Sequence, residues 1–157
     1  ASGVIVGALA LVVFPWLAET LPRPSGRAGT LAWLLLPPAV MLFALAAAIG
    51  NARFFTAAID PLAGRDGRFV AVSRRVLSNT LEQSAVLVLA GWLWIEAVPG
   101  QAARWLPAIA VLFTAGRLLF YAGYLRRSLW RAPGMALTFE INAAVLVLAM
   151  LALFGPG

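Results

Sequence analysis

Five apolar runs divide this chain: about Gly3 to Ala18, Thr30 to Gly50, Arg68 to the residue before Pro99, Gln101 to Arg127, and Met135 to Phe154. A bilayer core asks for about 20 apolar residues per spanning helix. Inside it every backbone N–H and C=O must be satisfied by the protein, which leaves only helices and closed barrels. Runs of this length select helices, so the expected fold is an all-α integral membrane protein. The composition agrees: 62% of the 157 residues are hydrophobic, and the mean hydropathy is +0.92.

The first run is short for a span, and its rival is a cleaved signal peptide. Ala1-Ser2-Gly3 lacks the basic start such a peptide carries, which favours a spanning helix. Leu21 to Gly29 is rich in Pro and Gly and reads as an exposed turn, as does Ile59 to Gly67. Pro37-Pro38 inside the second run should kink it and free backbone carbonyls. The third run is too long for a simple perpendicular span, so its first turns should project from the membrane or line a wet cavity. Trp92 and Trp94 should mark its far interface, and Pro133-Gly134 should close the turn before the fifth run.

The net charge of +6 comes from twelve basic residues, all arginine, against six acidic ones. No soluble basic domain is present to grip nucleic acid, so membrane lipid and small anions are the expected partners. With no cysteine and no histidine there is no disulfide framework, no thiolate or imidazole metal site and no cysteine nucleophile. Arginines gather on the connection between the second and third runs and on that between the fourth and fifth. The positive-inside rule therefore puts these ends, and the N-terminus, in the cytoplasm.

Polar residues inside the runs fall into two stripes. Arg75, Asn79 and Glu82 stand at i, i+4 and i+7, and so do Arg117, Tyr121 and Tyr124, so each trio leaves its helix on one side. Ionisable groups at membrane depth face a bundle interior or a wet cavity and are functional candidates by default. Two stripes near one membrane face suggest one shared site. The same residues also describe a bracket that only holds helices together. Glu140 and Asn142 read more simply as interhelical hydrogen-bonding groups, and Arg131 has a second reading as a topology anchor.

The stretch Arg75-x-x-x-Asn79-x-x-Glu82, preceded by Arg53-Phe54-Phe55 and a Pro/Gly loop, resembles one motif of the MAPEG superfamily, the membrane-associated proteins of eicosanoid and glutathione metabolism. Arg117-Leu118-Leu119-Phe120-Tyr121-Ala122-Gly123-Tyr124, followed by Arg131-Ala132-Pro133, looks like a second, closest to the leukotriene-forming synthase branch. The resemblance covers about residues 50 to 155. The extra first helix, Leu77, Ser78 and Gln83 where some members carry Arg, His or Tyr, and Phe120 in place of a tyrosine mark a divergent member of bacterial type.

The resemblance implies a four-helix unit over residues 30–157, with 1–29 as an additional N-terminal transmembrane helix and loop. It implies a homotrimer with sites between neighbouring subunits near the cytoplasmic face of a bacterial inner membrane. Glutathione is the implied co-substrate, held by Arg53, Arg75, Asn79, Glu82, Arg117, Tyr121 and Tyr124. Arg131 is the implied catalytic residue, lowering the thiol pKa beside a helix N-terminus. The activity expected is a glutathione-dependent transferase or peroxidase acting on a hydrophobic small molecule, without a metal. The alternative is a non-catalytic trimeric membrane protein that binds a lipid or amphipathic ligand.

Overall fold

In the computed structural model, which describes residues 2–56 and 65–155, the chain is an all-helical bundle. Helix α1 spans Ser2–Thr20, α2 Gly26–Phe54, α3 Arg68–Ala97, α4 Pro99–Arg126 and α5 Ala132–Phe154. A 3-10 turn, Ser128–Arg131, stands between α4 and α5. Among the described residues, three helical stretches are long and apolar enough to cross a membrane on their own: Gly26–Phe54, Pro99–Arg126 and Ser128–Phe154. Helix α3 is just as long at 30 residues, but Arg74, Arg75 and Glu82 interrupt its apolar face. At 1.5 Å per residue, α2, α3 and α4 reach about 42–45 Å, which overhangs a core of about 30 Å.

The helices form where the apolar runs predict and extend past them. Helix α2 starts at Gly26, inside the stretch expected to be a turn, because Gly26 adopts φ +70 and lets the chain swing from extended Ser25 into the helix. It then runs through Pro37 and Pro38 without a break in assignment, burying Leu34, Pro38, Leu45 and Ile49 along one face. Between α3 and α4 only Val98 is non-helical, and Pro99 opens α4 at a position where its missing N–H costs nothing. Pro133 does the same in α5. Pro133 and Gly134 thus belong to the first turn of α5, while Arg127 and the 3-10 turn make the reversal. The expected loop Ile59 to Gly67 lies mostly outside the described residues.

Ion pairs mark the two ends of the bundle. At one end Arg53 donates to Asp66 through Nη2 at 2.8 Å and Nε at 3.2 Å, tying the end of α2 to the start of α3. At the other, Arg27 pairs with Glu96 and joins the start of α2 to the end of α3. The two helices are therefore antiparallel. Helices α4 and α5 cross closely at Gly116 and Gly134, where a β-carbon on Gly134 would fall on the backbone of Phe120.

The core has two parts with a polar layer between them. One cluster, around Leu34, Leu87, Trp94, Leu106, Phe113 and Val145, fills the half nearer the α3–α4 connection. A smaller one, Leu45, Val72, Val76 and Phe120, fills the half nearer the α4–α5 turn. Trp94 belongs to this core at 1% exposure rather than to an interface. It shares a face with Leu87 and Gly91 at i, i+4 and i+7, and that face points into the bundle, whereas Trp92 is exposed. Helix α1 packs on α4 and α5, with Phe14 stacked on Trp105 at a centroid distance of 5.2 Å.

Candidate functional site

The polar layer is built on Arg117. Its guanidinium is fully buried at 0% exposure, yet each of its nitrogens donates a hydrogen bond. Nε reaches Thr80 Oγ1 at 3.2 Å, Nη1 reaches Thr138 Oγ1 at 3.2 Å, and Nη2 reaches Asn79 Oδ1 at 3.0 Å and Thr80 Oγ1 at 3.1 Å. The face of Phe120 lies 4.3 Å from the guanidinium carbon. One cation thus binds α3, α4 and α5 together, and leaving any of these groups unpaired in a dry interior would be costly.

Outward from this layer the network turns into a cavity. Asn79 accepts from Arg117 and donates through Nδ2 to Glu82 Oε2 at 3.4 Å, while Ser78 Oγ donates to Glu82 Oε1 at 3.3 Å. Glu82 is thereby held on the exposed face of α3, beside Arg75. The cavity these residues share with Tyr124 and Arg131 has a volume of about 750 Å³. Its opposite wall is apolar, formed by Phe120, Leu129, Met135 and Phe139. This combination of a large concave space and a few convergent polar groups is what a small-molecule site requires.

Arg131 stands at the start of α5, the residue from which that helix begins. Its guanidinium lies 4.8 Å from the Tyr124 ring centroid. Neither Arg131 nor Arg75 has an ion-pair partner among the described residues. Arg131 at the N-terminal end of α5, whose unpaired N–H groups carry partial positive charge, and Arg75 on α3 make this cavity attractive to anions. The loop is kept in place from below: Gly123 lies against the Trp130 carbonyl with no room for a β-carbon, and Arg68 Nη2 donates to the carbonyls of Leu125 and Arg126, both at 3.1 Å, closing the C-terminus of α4.

Of the eight residues singled out in the sequence, the structure brings Arg75, Asn79, Glu82, Tyr124 and Arg131 to one cavity. Arg117 lies beneath it. Tyr121 faces another way, its hydroxyl 2.8 Å from Ser73 Oγ, where it closes the smaller apolar cluster. Arg53 pairs with Asp66, away from the cavity of its own chain. Outside the membrane-spanning segments, the Arg53 hydrogen bonds hold the Asp66 carboxyl below its ordinary 3.8 against partial desolvation, with further help from Arg74.

Three lining or supporting groups escaped the reading from sequence. Thr80 and Thr138 are the acceptors that make Arg117 burial possible, and Ser78 is a second donor to Glu82. For Ser78 the signal was spacing, since it stands four residues before Glu82 on the same helix; Thr138, on another helix, gave none. Asn142 does serve as an interhelical link: its Nδ2 donates to Gln83 O at 3.0 Å and to Gln83 Oε1 at 2.8 Å. Among the described residues no three Asp or Glu side chains gather as a metal site would need.

A search of the curated proteins found no match. The MAPEG family model matches residues 30–151, from the first buried residue of α2 nearly to the end of α5, and so takes in both polar stripes, the Arg117 layer and the cavity. With more than half of its length covered, this integral membrane chain belongs to the MAPEG family, whose members are of the glutathione and eicosanoid metabolism kind.

Proposed function

We propose that the protein is a glutathione-dependent membrane transferase or peroxidase, working at the cavity between α3 and the α4–α5 turn. The observation that carries this reading is charge matching. Glutathione presents two carboxylates, one ammonium and one thiol. The cavity presents two unpaired guanidinium groups, Arg75 and Arg131, one carboxylate, Glu82, and the Tyr124 hydroxyl.

In this reading Arg75 grips a glutathione carboxylate, and Glu82, oriented by Asn79 and Ser78, takes the ammonium. Tyr124 offers its hydroxyl and holds Arg131 against its ring. Arg131, together with the α5 N-terminus, lowers the thiol pKa and stabilises the thiolate, which is the nucleophile. The thiolate then attacks an apolar electrophile or a peroxide that arrives from the lipid phase across Met135, Leu129 and Phe139. Arg117 supports the site by fixing Asn79, and Tyr121 supports the helix pair beneath it.

Arg53 enters this scheme through assembly. In a homotrimer with sites between neighbouring copies, as family membership suggests, the exposed face of α3 meets another chain, and the Arg53–Asp66 corner of that chain is the candidate contributor. The Arg-rich end of the bundle carries the site, and the positive-inside rule puts it in the cytoplasm, with a bacterial inner membrane as the proposed location.

The experiment is glutathione binding to detergent-purified protein, followed by thiolate absorbance in the ultraviolet, wild type beside Arg131→Ala. The expected outcome is saturable binding in both, with a thiolate signal and turnover present only in the wild type. No binding at millimolar glutathione would sink the proposal and leave a non-catalytic lipid or amphiphile binder.

A further inference from the structure

A second cavity lies on the other side of α5, between that helix, α1 and α4, with a volume of about 360 Å³. Its lining is apolar, including Ala10, Phe14, Leu112, Ile141 and Leu148, with one exception: the carboxylate of Glu140. Glu140 is eight residues into α5, about 12 Å from the helix start at 1.5 Å per residue. Among the described residues it has no hydrogen bond and no ion pair. That sets it apart from Arg117, Asn79, Thr80 and Thr138, each of which is bonded.

A carboxylate at membrane depth is expensive unless something pairs with it. At Gly7 helix α1 comes close to Glu140, where a β-carbon would meet the carboxylate and turn it aside. Among its described side chains, helix α1 walls the groove with apolar groups and supplies no partner for the charge. Arg131, at the head of α5, lines the other cavity, and Arg117 is consumed by the polar layer. Phe14, stacked on Trp105, also lines the groove.

We infer that this groove binds a lipophilic monocation, an amine or onium ion with apolar arms, whose charge pairs with Glu140. Charge complementarity selects the class: one carboxylate asks for one positive charge, and every other lining group asks for hydrocarbon. The volume falls within the range of small-ligand pockets. The site uses the face of α5 that carries Glu140 and Leu148, whereas the thiol cavity uses Met135 and Phe139, so the two do not depend on each other.

The test is equilibrium dialysis of the full chain in an uncharged detergent with tetraphenylphosphonium, beside tetraphenylborate, an anion of the same shape. Saturable cation binding is expected, at least tenfold weaker in Glu140→Gln, with no comparable saturable binding of the anion. Equal retention of cation and anion by the wild type overturns the inference, because it reports only hydrocarbon uptake. So does wild-type-like cation binding in Glu140→Gln, or a wild type that binds no cation, as when a second copy covers the groove. A wild-type thermal unfolding midpoint in detergent checks the fold of Glu140→Gln. Ala144→Trp, which keeps the carboxylate and fills the groove, should also lose the cation, and retention there overturns the inference independently.

Discussion

Replacing Gly134 with alanine should separate α4 from α5 and unfasten the polar layer with it. The new β-carbon would stand 2.5 Å from the Gly116 carbonyl oxygen and 2.7 Å from Phe120 Cα, where ordinary contact begins at 3.4 Å. All of these neighbours are backbone, with Phe120 N the nearest, so no side chain can rotate away, and the helices must part by roughly 1 Å, a gap that forfeits a quarter to a half of each affected dispersion contact. Overpacking of this kind costs about 1–3 kcal/mol. The same movement stretches the 3.2 Å bond from Arg117 Nη1 to Thr138 Oγ1 toward the limit of hydrogen bonding, which argues for the upper part of that range. Thermal unfolding in detergent, followed by tryptophan fluorescence, reads the loss as a lowered midpoint. Gly50→Ala is the matched control, since a β-carbon there meets nothing within 4 Å. It should be neutral or slightly stabilising, because alanine is the better helix former. Equal midpoints for wild type and Gly134→Ala would refute the close-crossing account of α4 and α5.

Arg117→Lys should not rescue Arg117→Met, because an ammonium cannot reach Thr80, Thr138 and Asn79 from one planar fork. Both variants should lose about 1.5–3 kcal/mol of stability in thermal unfolding, the scale of hydrogen bonds to a charged group; a wild-type midpoint in the lysine variant would count against the layer. Asp66 gives a pH dependence of known sign. Its carboxyl is held below 3.8 in the folded chain, so its stabilisation is complete above about pH 4 and fades as the pH falls through the lowered folded value. Asp66→Asn should therefore flatten the acid limb of an unfolding-versus-pH curve, and an unchanged limb would exclude the Arg53–Asp66 pair as its source.

Much of this arrangement could be read from the residues alone, for reasons that also mark where reading stops. Apolar runs bounded by Pro and Gly place helices because a bilayer admits few alternatives, and α3 and α4 appear where their runs predict. Periodicity placed Arg75, Asn79 and Glu82 on one face, and that face lines the cavity. Periodicity fails one level up. It groups Arg117, Tyr121 and Tyr124, but an arc of a helix is wide enough to touch two neighbours. Phe120 and Met135 divide that arc, so Tyr124 turns to the cavity, Tyr121 to Ser73, and Arg117 inward. Nor does spacing reveal partners distant in sequence, such as Thr138 for Arg117. For Trp94, aromatic character suggested an interface, whereas its register with Leu87 and Gly91 decided for the core.

The division of the core by a layer of hydrogen bonds gives the bundle two compartments with separate tasks. Hydrocarbon packing around Leu87, Phe113 and Val145 anchors the helices at a distance from the cavity, while Phe120 lines it. Side chains at the cavity mouth can therefore drift while the anchoring compartment and the guanidinium clasp beneath the cavity stay as they are. Such a bundle is a mount with an interchangeable fitting.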